Sequence, residues 1–127
     1  MREKILIVED NPQNMRLMEM ILRGSYTILK ATDGQAALDI AIREHPDLII
    51  MDIQLPKLSG IEVTGRLRKI PEFRDVLIIA ITAYAMKGDG DRFIAAGCNA
   101  YLAKPISTRE LPGMVARMLS GRKQAST

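Results

Sequence analysis

Four short apolar runs in this chain each end on a chemically active side chain. Ile5-Leu6-Ile7-Val8 leads into Glu9-Asp10-Asn11-Pro12, and Leu48-Ile49-Ile50-Met51 leads into Asp52-Ile53-Gln54-Leu55-Pro56. A third run, 77–81, ends at Thr82-Ala83, and a shorter fourth ends at Lys104-Pro105. Continuous apolar runs of this length, bounded by turn residues, are the pattern of parallel strands buried on both faces. Segments with helical spacing separate them, so strand and helix alternate five times. That alternation predicts a parallel sheet with helices on both faces. Such sheets bind ligands beyond the carboxyl ends of their strands. One edge therefore receives three acids, a hydroxyl and an amine.

The helical segments carry their own punctuation. Asn11 is predicted to cap a first helix with Pro12 at its first position, where a missing N–H is tolerated. Met15, Met18 and Leu22 recur at helical spacing beside Leu17 and Ile21, and Gly24 ends the segment. Residues 26–31 read as a weaker edge strand. Asp33 caps a second helix, closed by Pro46, with Ala37, Leu38, Ala41 and Ile42 facing inward. Ser59 and Glu62 have capping-box spacing at the start of a third helix, whose stripe is Val63, Leu67 and Ile70 and which Pro71 ends. A polar, glycine-bearing segment, 87–92, precedes Phe93 and Ile94 of a fourth helix, which Gly97 ends. Gly88 and Gly90 each weaken its first turn by ~1 kcal/mol relative to alanine. Residues 99–103 form the fifth strand. Ser107 and Glu110 repeat the capping-box spacing. Pro112 lies too far in for an unbroken helix from Thr108, so the fifth helix bends there or begins near Leu111.

The fold class expected is α/β, a doubly wound five-stranded parallel sheet in strand order 2-1-3-4-5, of flavodoxin-like type. This order seats strands one and three side by side and brings Asp10 next to Asp52. The 127 residues suit one domain with one core. That domain is expected over 1–120, with a short polar tail over 121–127, leaving no room for a DNA-binding output domain. Apolar content of 47% excludes disorder. No apolar run approaches the ~20 residues that span a bilayer, and no leader segment is evident. The single cysteine, Cys98, excludes an internal disulfide framework and suits a reducing, cytoplasmic setting; it reads as a small buried packer beside Gly97.

The net charge is +3. Arg66, Arg68, Lys69 and Arg74 share one helical region, and Arg117, Arg122 and Lys123 lie further on. They read as solvated helix faces rather than a nucleic-acid groove reader, leaving open a docking surface for an acidic protein. His45 has no cysteine or histidine companion and reads as a solvated helix end.

Three carboxylates within a few ångströms repel, and a hard divalent cation offsets them. Mg²⁺, or Mn²⁺ in its place, takes one or two carboxylates in an octahedral oxygen shell. Asp10 and Asp52 are candidate direct ligands, the backbone carbonyl of Gln54 a third, and Glu9 a ligand directly or through water. Lys104 brings a positive point charge and Thr82 a hydroxyl. Metal, ammonium and hydroxyl together would stabilise the oxygens of a transferring phosphoryl group. Asp52 is the natural nucleophile, because it ends the central strand and carboxylates form acyl-phosphates. Alone, each residue has an ordinary explanation as a turn, cap or surface group. Their joint placement after strands one, three, four and five carries the inference.

Glu9-Asp10, Asp52, Thr82 and Lys104-Pro105 resemble the acidic pair, phosphoacceptor, switch hydroxyl and lysine-proline of response-regulator receiver domains. The resemblance covers essentially the whole chain. Val8 to Asn11, Met51 to Pro56, Ala85 to Asp89, and Ala100 to Leu102 with Lys104 to Ser107 resemble single-domain members that act in cell division. It implies a two-component phosphorelay, in which a histidine kinase or histidine phosphotransfer protein donates a phosphoryl group to Asp52. It further implies that Thr82 moves to the phosphoryl group and Tyr101 turns inward behind it. A downstream protein then reads the altered surface of helix four, strand five and helix five, with Met86 and Phe93 as surface or core residues. A cis Lys104–Pro105 bond is also implied. Such a protein is no enzyme beyond promoting its own phosphoryl transfer and autodephosphorylation.

Three other readings compete. A phosphatase of the haloacid-dehalogenase type also uses an aspartate nucleophile and Mg²⁺, but needs an acid two residues later, where Gln54 stands. A flavodoxin needs a hydroxyl- and glycine-rich phosphate loop after strand one, where Glu9-Asp10 would repel the phosphate. A module that binds without phosphorylation would have no use for the acidic pocket.

Gln54 and Tyr84 are expected to border the path of water to a phosphorylated Asp52. Neither is an acid, so the phosphoprotein should be long-lived for its class. Tyr84→Ala should speed the decay of purified phosphoprotein in Mg²⁺ buffer, and Tyr84→Glu should speed it more. Decay of both at the wild-type rate would sink this account of lifetime.

Overall fold

The structure, a computed structural model, describes residues 2–83 and 89–125. Tyr84, Met86 and Gly88 lie outside the described residues. The five strands are β1 (Lys4–Val8), β2 (Thr27–Ala31), β3 (Leu48–Asp52), β4 (Leu77–Thr82) and β5 (Ala100–Ala103). They alternate with helices α1 (Pro12–Leu22), α2 (Gly34–Glu44), α3 (Gly60–Arg68), α4 (Asp89–Ala96) and α5 (Glu110–Ala125), and a 3₁₀ turn covers Pro71–Phe73. All pairings are parallel and the strand order is β2-β1-β3-β4-β5, as the alternation predicts.

Period-two alternation splits the strands between two apolar layers. Leu6, Val8, Ile49, Met51, Ile78 and Ala80 point to the layer that holds Ala37, Leu38, Val63, Leu67 and Phe93 from α2, α3 and α4. Ile5, Ile7, Leu48, Ile50, Ile79 and Ile81 point to the other, with Met15, Met18 and Leu22 from α1 and Leu111, Val115 and Leu119 from α5. Every residue of β3 is buried, as a central strand covered on both faces requires. The edge strand β5 alternates half-buried and exposed positions.

Most of the helix punctuation stands as read. The side chains of Asn11, Asp33 and Ser59 accept from the backbone N–H groups of Asn14, Ala36 and Glu62, and Pro12 opens α1. At α5, the Ser107 hydroxyl accepts from the N–H groups of Arg109 and Glu110, and the helix starts at Glu110. Pro112 thus falls in the first turn, where helix N–H groups lack intrahelical partners anyway. The backbone of α5 continues through residues 121–125, read as tail from the sequence. The Lys104–Pro105 bond is cis.

Helix α4 spans Asp89–Ala96, so Gly90 lies in a helical turn, as its reading as a helix-weakening residue requires. Two expectations need correction. Ile42 is 52% exposed, because it lies about a quarter turn from the centre of the stripe formed by Gly34, Ala37, Leu38 and Ala41. Arg68 is no solvated charge. Its guanidinium donates to the carbonyls of Gly97, Phe73 and Arg74 and to Oδ1 of Asn99, at 2.8–3.2 Å. That oxygen also accepts from the N–H of Ile78. One side chain thereby ties the end of α3 to the turn between α4 and β5. Phe93 is a core residue, 1% exposed, and Cys98 is buried against Thr64, with sulfur and hydroxyl 3.8 Å apart.

Arg68→Ala should lower stability by about 1–3 kcal/mol, since several partly buried carbonyls lose their donors together. Arg68→Lys should recover only part, because an ammonium cannot reproduce the planar fork. Urea unfolding measures both, and a wild-type midpoint for the alanine variant would refute the anchoring role.

Candidate functional site

The carboxyl ends of β1, β3, β4 and β5 meet at one edge. β1 pairs with both β2 and β3, so the residues after Val8 and Met51 emerge side by side. Ligand oxygens of Glu9, Asp10 and Asp52 all lie within 4.8 Å of one another. Glu9 and Asp52 are buried, at 0% and 2% exposure, whereas Asp10 is exposed. Asp52 Oδ1 accepts from the Gln54 N–H at 2.9 Å, and Oδ2 accepts from Lys104 Nζ at 3.0 Å.

Lys104 reaches the pocket from the end of β5. Its backbone N–H donates to the Thr82 carbonyl at 2.7 Å, which aligns the strand ends. Its ammonium also stands 3.2 Å from Glu9 Oε1. Burial alone would lower the pKa of this lysine. The hydrogen bond to Asp52 and the charges of Asp52 and Glu9 together outweigh that effect, and the pKa lies above its ordinary value.

Glu9 is the strained member of the group. Its Oε2 accepts from the Asn11 N–H at 3.2 Å. Its Oε1 is buried and, despite the nearby ammonium, makes no hydrogen bond. Such a buried acceptor is costly. Desolvation first, then the hydrogen bond and charge of Asp52, push the Glu9 pKa up to about 7; the Asn11 N–H and Lys104 pull the other way. Three acids, one of them with an orphaned oxygen, against one ammonium form a donor set that fits a hard divalent cation.

The loop after Asp52 is held close. A Cβ on Gly60, at the start of α3, would meet the Asp52 carbonyl oxygen at 2.4 Å, so only glycine lets α3 start there. The Gly60 N–H donates to Ile53 at 3.0 Å.

The structure therefore brings together Glu9, Asp10, Asp52 and Lys104. Thr82 is buried at the end of β4, one residue beyond the partner of Asp52 in the β3–β4 ladder. Gln54 is exposed and meets Asp52 through its N–H. Tyr101 stands apart, 44% exposed, with its ring on α4 against Phe93. Asn11, Gly60 and Arg68 went unread as contributors to the site and its surroundings. A glycine directly after a helix cap was a usable signal for Gly60, whereas nothing in the local pattern marks the acceptors of Arg68.

Comparison with known proteins agrees with this geometry. The family model described as the response regulator receiver domain matches residues 5–116. The polar-differentiation response regulator DivK of Brucella ovis is 49% identical over 108 residues, covering 84% of this chain and 88% of that protein. Among solved structures, the receiver domain of a Pseudomonas aeruginosa sensor histidine kinase, with a magnesium ion coordinated in its active-site cleft, is 41% identical. Its TM-score is 0.84, and the match covers 92% of this chain and 97% of that one. A response regulator from Chloroflexus aurantiacus matches with 31% identity and a TM-score of 0.89, over 94% of this chain and 99% of that one.

The raised pKa of Glu9 gives a pH signature in metal-free protein. Folded Glu9 keeps its proton up to about pH 7, whereas the unfolded chain releases it near 4.5. The contribution of Glu9 to stability should therefore be fully present below the lower value and fall by on the order of 3 kcal/mol as pH rises through this window. Glu9→Gln should remove that fall. Denaturant unfolding with a chelator at several pH values measures it; a wild-type profile that is flat or rising across the window would contradict the assignment.

Proposed function

This chain belongs to the response regulator receiver domain family, and we propose that Asp52 is its phosphoacceptor in a two-component phosphorelay. The observation that carries this reading is a buried carboxylate held by one ammonium inside an acidic cluster at the end of the central strand. A carboxylate oxygen of Asp52 bonds to phosphorus as the phosphorus–nitrogen bond of a partner's phosphohistidine breaks. The imidazole leaves with the electron pair and takes a proton from water. Lys104 stays beside the new acyl-phosphate and offsets its charge. Thr82 supplies the hydroxyl that bonds a phosphoryl oxygen, and Tyr101 turns from the surface toward the space Thr82 leaves.

Asp10, Asp52 and the Gln54 carbonyl would hold Mg²⁺ or Mn²⁺, with Glu9 joining directly or through water. When bound, the ion would neutralise charge on the phosphoryl oxygens. The orphaned oxygen of Glu9 supports this fit.

The phosphodonor is a histidine kinase or a histidine phosphotransfer protein. The readout is a protein partner at the surface of α4, β5 and α5, where Ile94 and Tyr101 are exposed. The likeness to a polar-differentiation regulator supports a role in cell division. No helix among the described residues is long and apolar enough to cross a membrane, and a cytoplasmic setting fits the lone buried thiol. Residues 1–120 act as the receiver unit. The phosphatase alternative is disfavoured by the family match and by an amide at position 54.

Incubation with Mg²⁺ and acetyl phosphate should add one phosphoryl group by intact mass. The adduct should need the metal and should be absent from Asp52→Asn. An equal adduct on that variant would remove Asp52 from the role.

A further inference from the structure

Tyr101 rests on α4 in a way that one residue type allows. Its ring packs over Gly90 in the first turn of the helix. A Cβ on Gly90 would stand 2.4 Å from ring atoms Cε1 and Cζ and 2.5 Å from the hydroxyl oxygen. Real side chains do not approach so closely, and the ring is the movable partner. One turn further along, Phe93 meets the ring edge-on, with centroids 6.2 Å apart and planes at 65°. Phe93 is itself fixed in the core. The ring thus lies between bare helix backbone and a rigid aromatic edge.

Glycine inside a helix is unfavourable relative to alanine. Gly90 therefore weakens α4 at the one place where its missing side chain makes room for Tyr101. We propose that Gly90 is a positioning residue: its bare backbone is the seat that holds Tyr101 outward, and filling that seat drives the ring toward the interior beside Thr82. The proposal rests on the reading of Thr82 and Tyr101 as a switch pair. In a two-state switch, whatever disfavours the outward state raises the population of the other. Linkage then requires that the inward state and phosphorylation of Asp52 favour each other.

A double-mutant cycle on the full chain tests the seat. In the Tyr101→Ala background, Gly90→Ala should raise Tm by about 4 °C, because the helix gains alanine and nothing clashes. With Tyr101 present, the same change should give no rise, or a fall. Equal rises in both backgrounds would overturn the seat. Should Gly90→Ala alone fail to fold, the double variant should fold; its failure too would overturn the proposal.

The rate of phosphorylation by acetyl phosphate with Mg²⁺ tests the coupling. Gly90→Ala should react at least about fivefold faster than wild type, and the double variant should match Tyr101→Ala. An unchanged rate for Gly90→Ala would overturn the link between seat and site. A wild type that accepts no phosphoryl group would instead sink the reading of Asp52, and the thermal cycle alone would then decide the seat.

Discussion

Two buried carboxylates share one ammonium group at the edge of this sheet. Lys104 lies 3.0 Å from Asp52 and 3.2 Å from Glu9, and neither acid has more than 2% exposure. Burial first, and then the neighbouring Asp52, disfavours the charged form of Glu9, and the one ammonium offsets only part of this. The local structure is a set of restraints against separation of the two acids. Adjacent strands fix the two backbones. The N–H groups of Asn11 and Gln54 each satisfy one oxygen, and β5 delivers the amine. One oxygen of Glu9 is left without a hydrogen bond. The surroundings hold the three acids together as a donor set that fits a hard divalent cation.

The restraint comes from apolar material on both sides of the sheet. Strand residues alternate between two layers, each closed by its own helices, and the acids sit at the rim where both layers end. Stability and chemistry are therefore spatially separate. The core can hold an unfavourable charge cluster because none of the acids interrupts it. Gly60 shows how tight the junction is, since a methyl group there would collide with the backbone of Asp52.

The fold was legible because its signals are local and redundant. Apolar runs marked the strands, caps marked the starts of α1, α2 and α3, and alternation implied parallel pairing. The acidic cluster was legible for the same reason, since each member follows a strand and the strand order places those ends together. Signals that depend on side-chain reach were not. Arg68 looked like one of several surface cations because its acceptors lie 5–31 residues away in sequence. Ile42 looked inward because spacing alone does not say how wide a buried stripe is. Gly90 read only as a helix-weakening residue, because the ring that covers it arrives from the next strand.

Arg68 has a mechanical consequence. Its guanidinium clamps the Gly97 carbonyl, just past the last turn of α4. Nothing comparable holds the first turn, among the described residues, beyond the ring lying on Gly90. The far end of α4 is thus tied to α3 while the ring of Tyr101 bears on its first turn. Eight residues make an arm of roughly 12 Å. A tilt of about 5° about the clamped end would carry the first turn roughly 1 Å, a displacement on the scale of a side-chain contact. A displacement imposed at the Tyr101 end would then be largest in the first turn and smallest near the clamped end, where Ile94 is exposed.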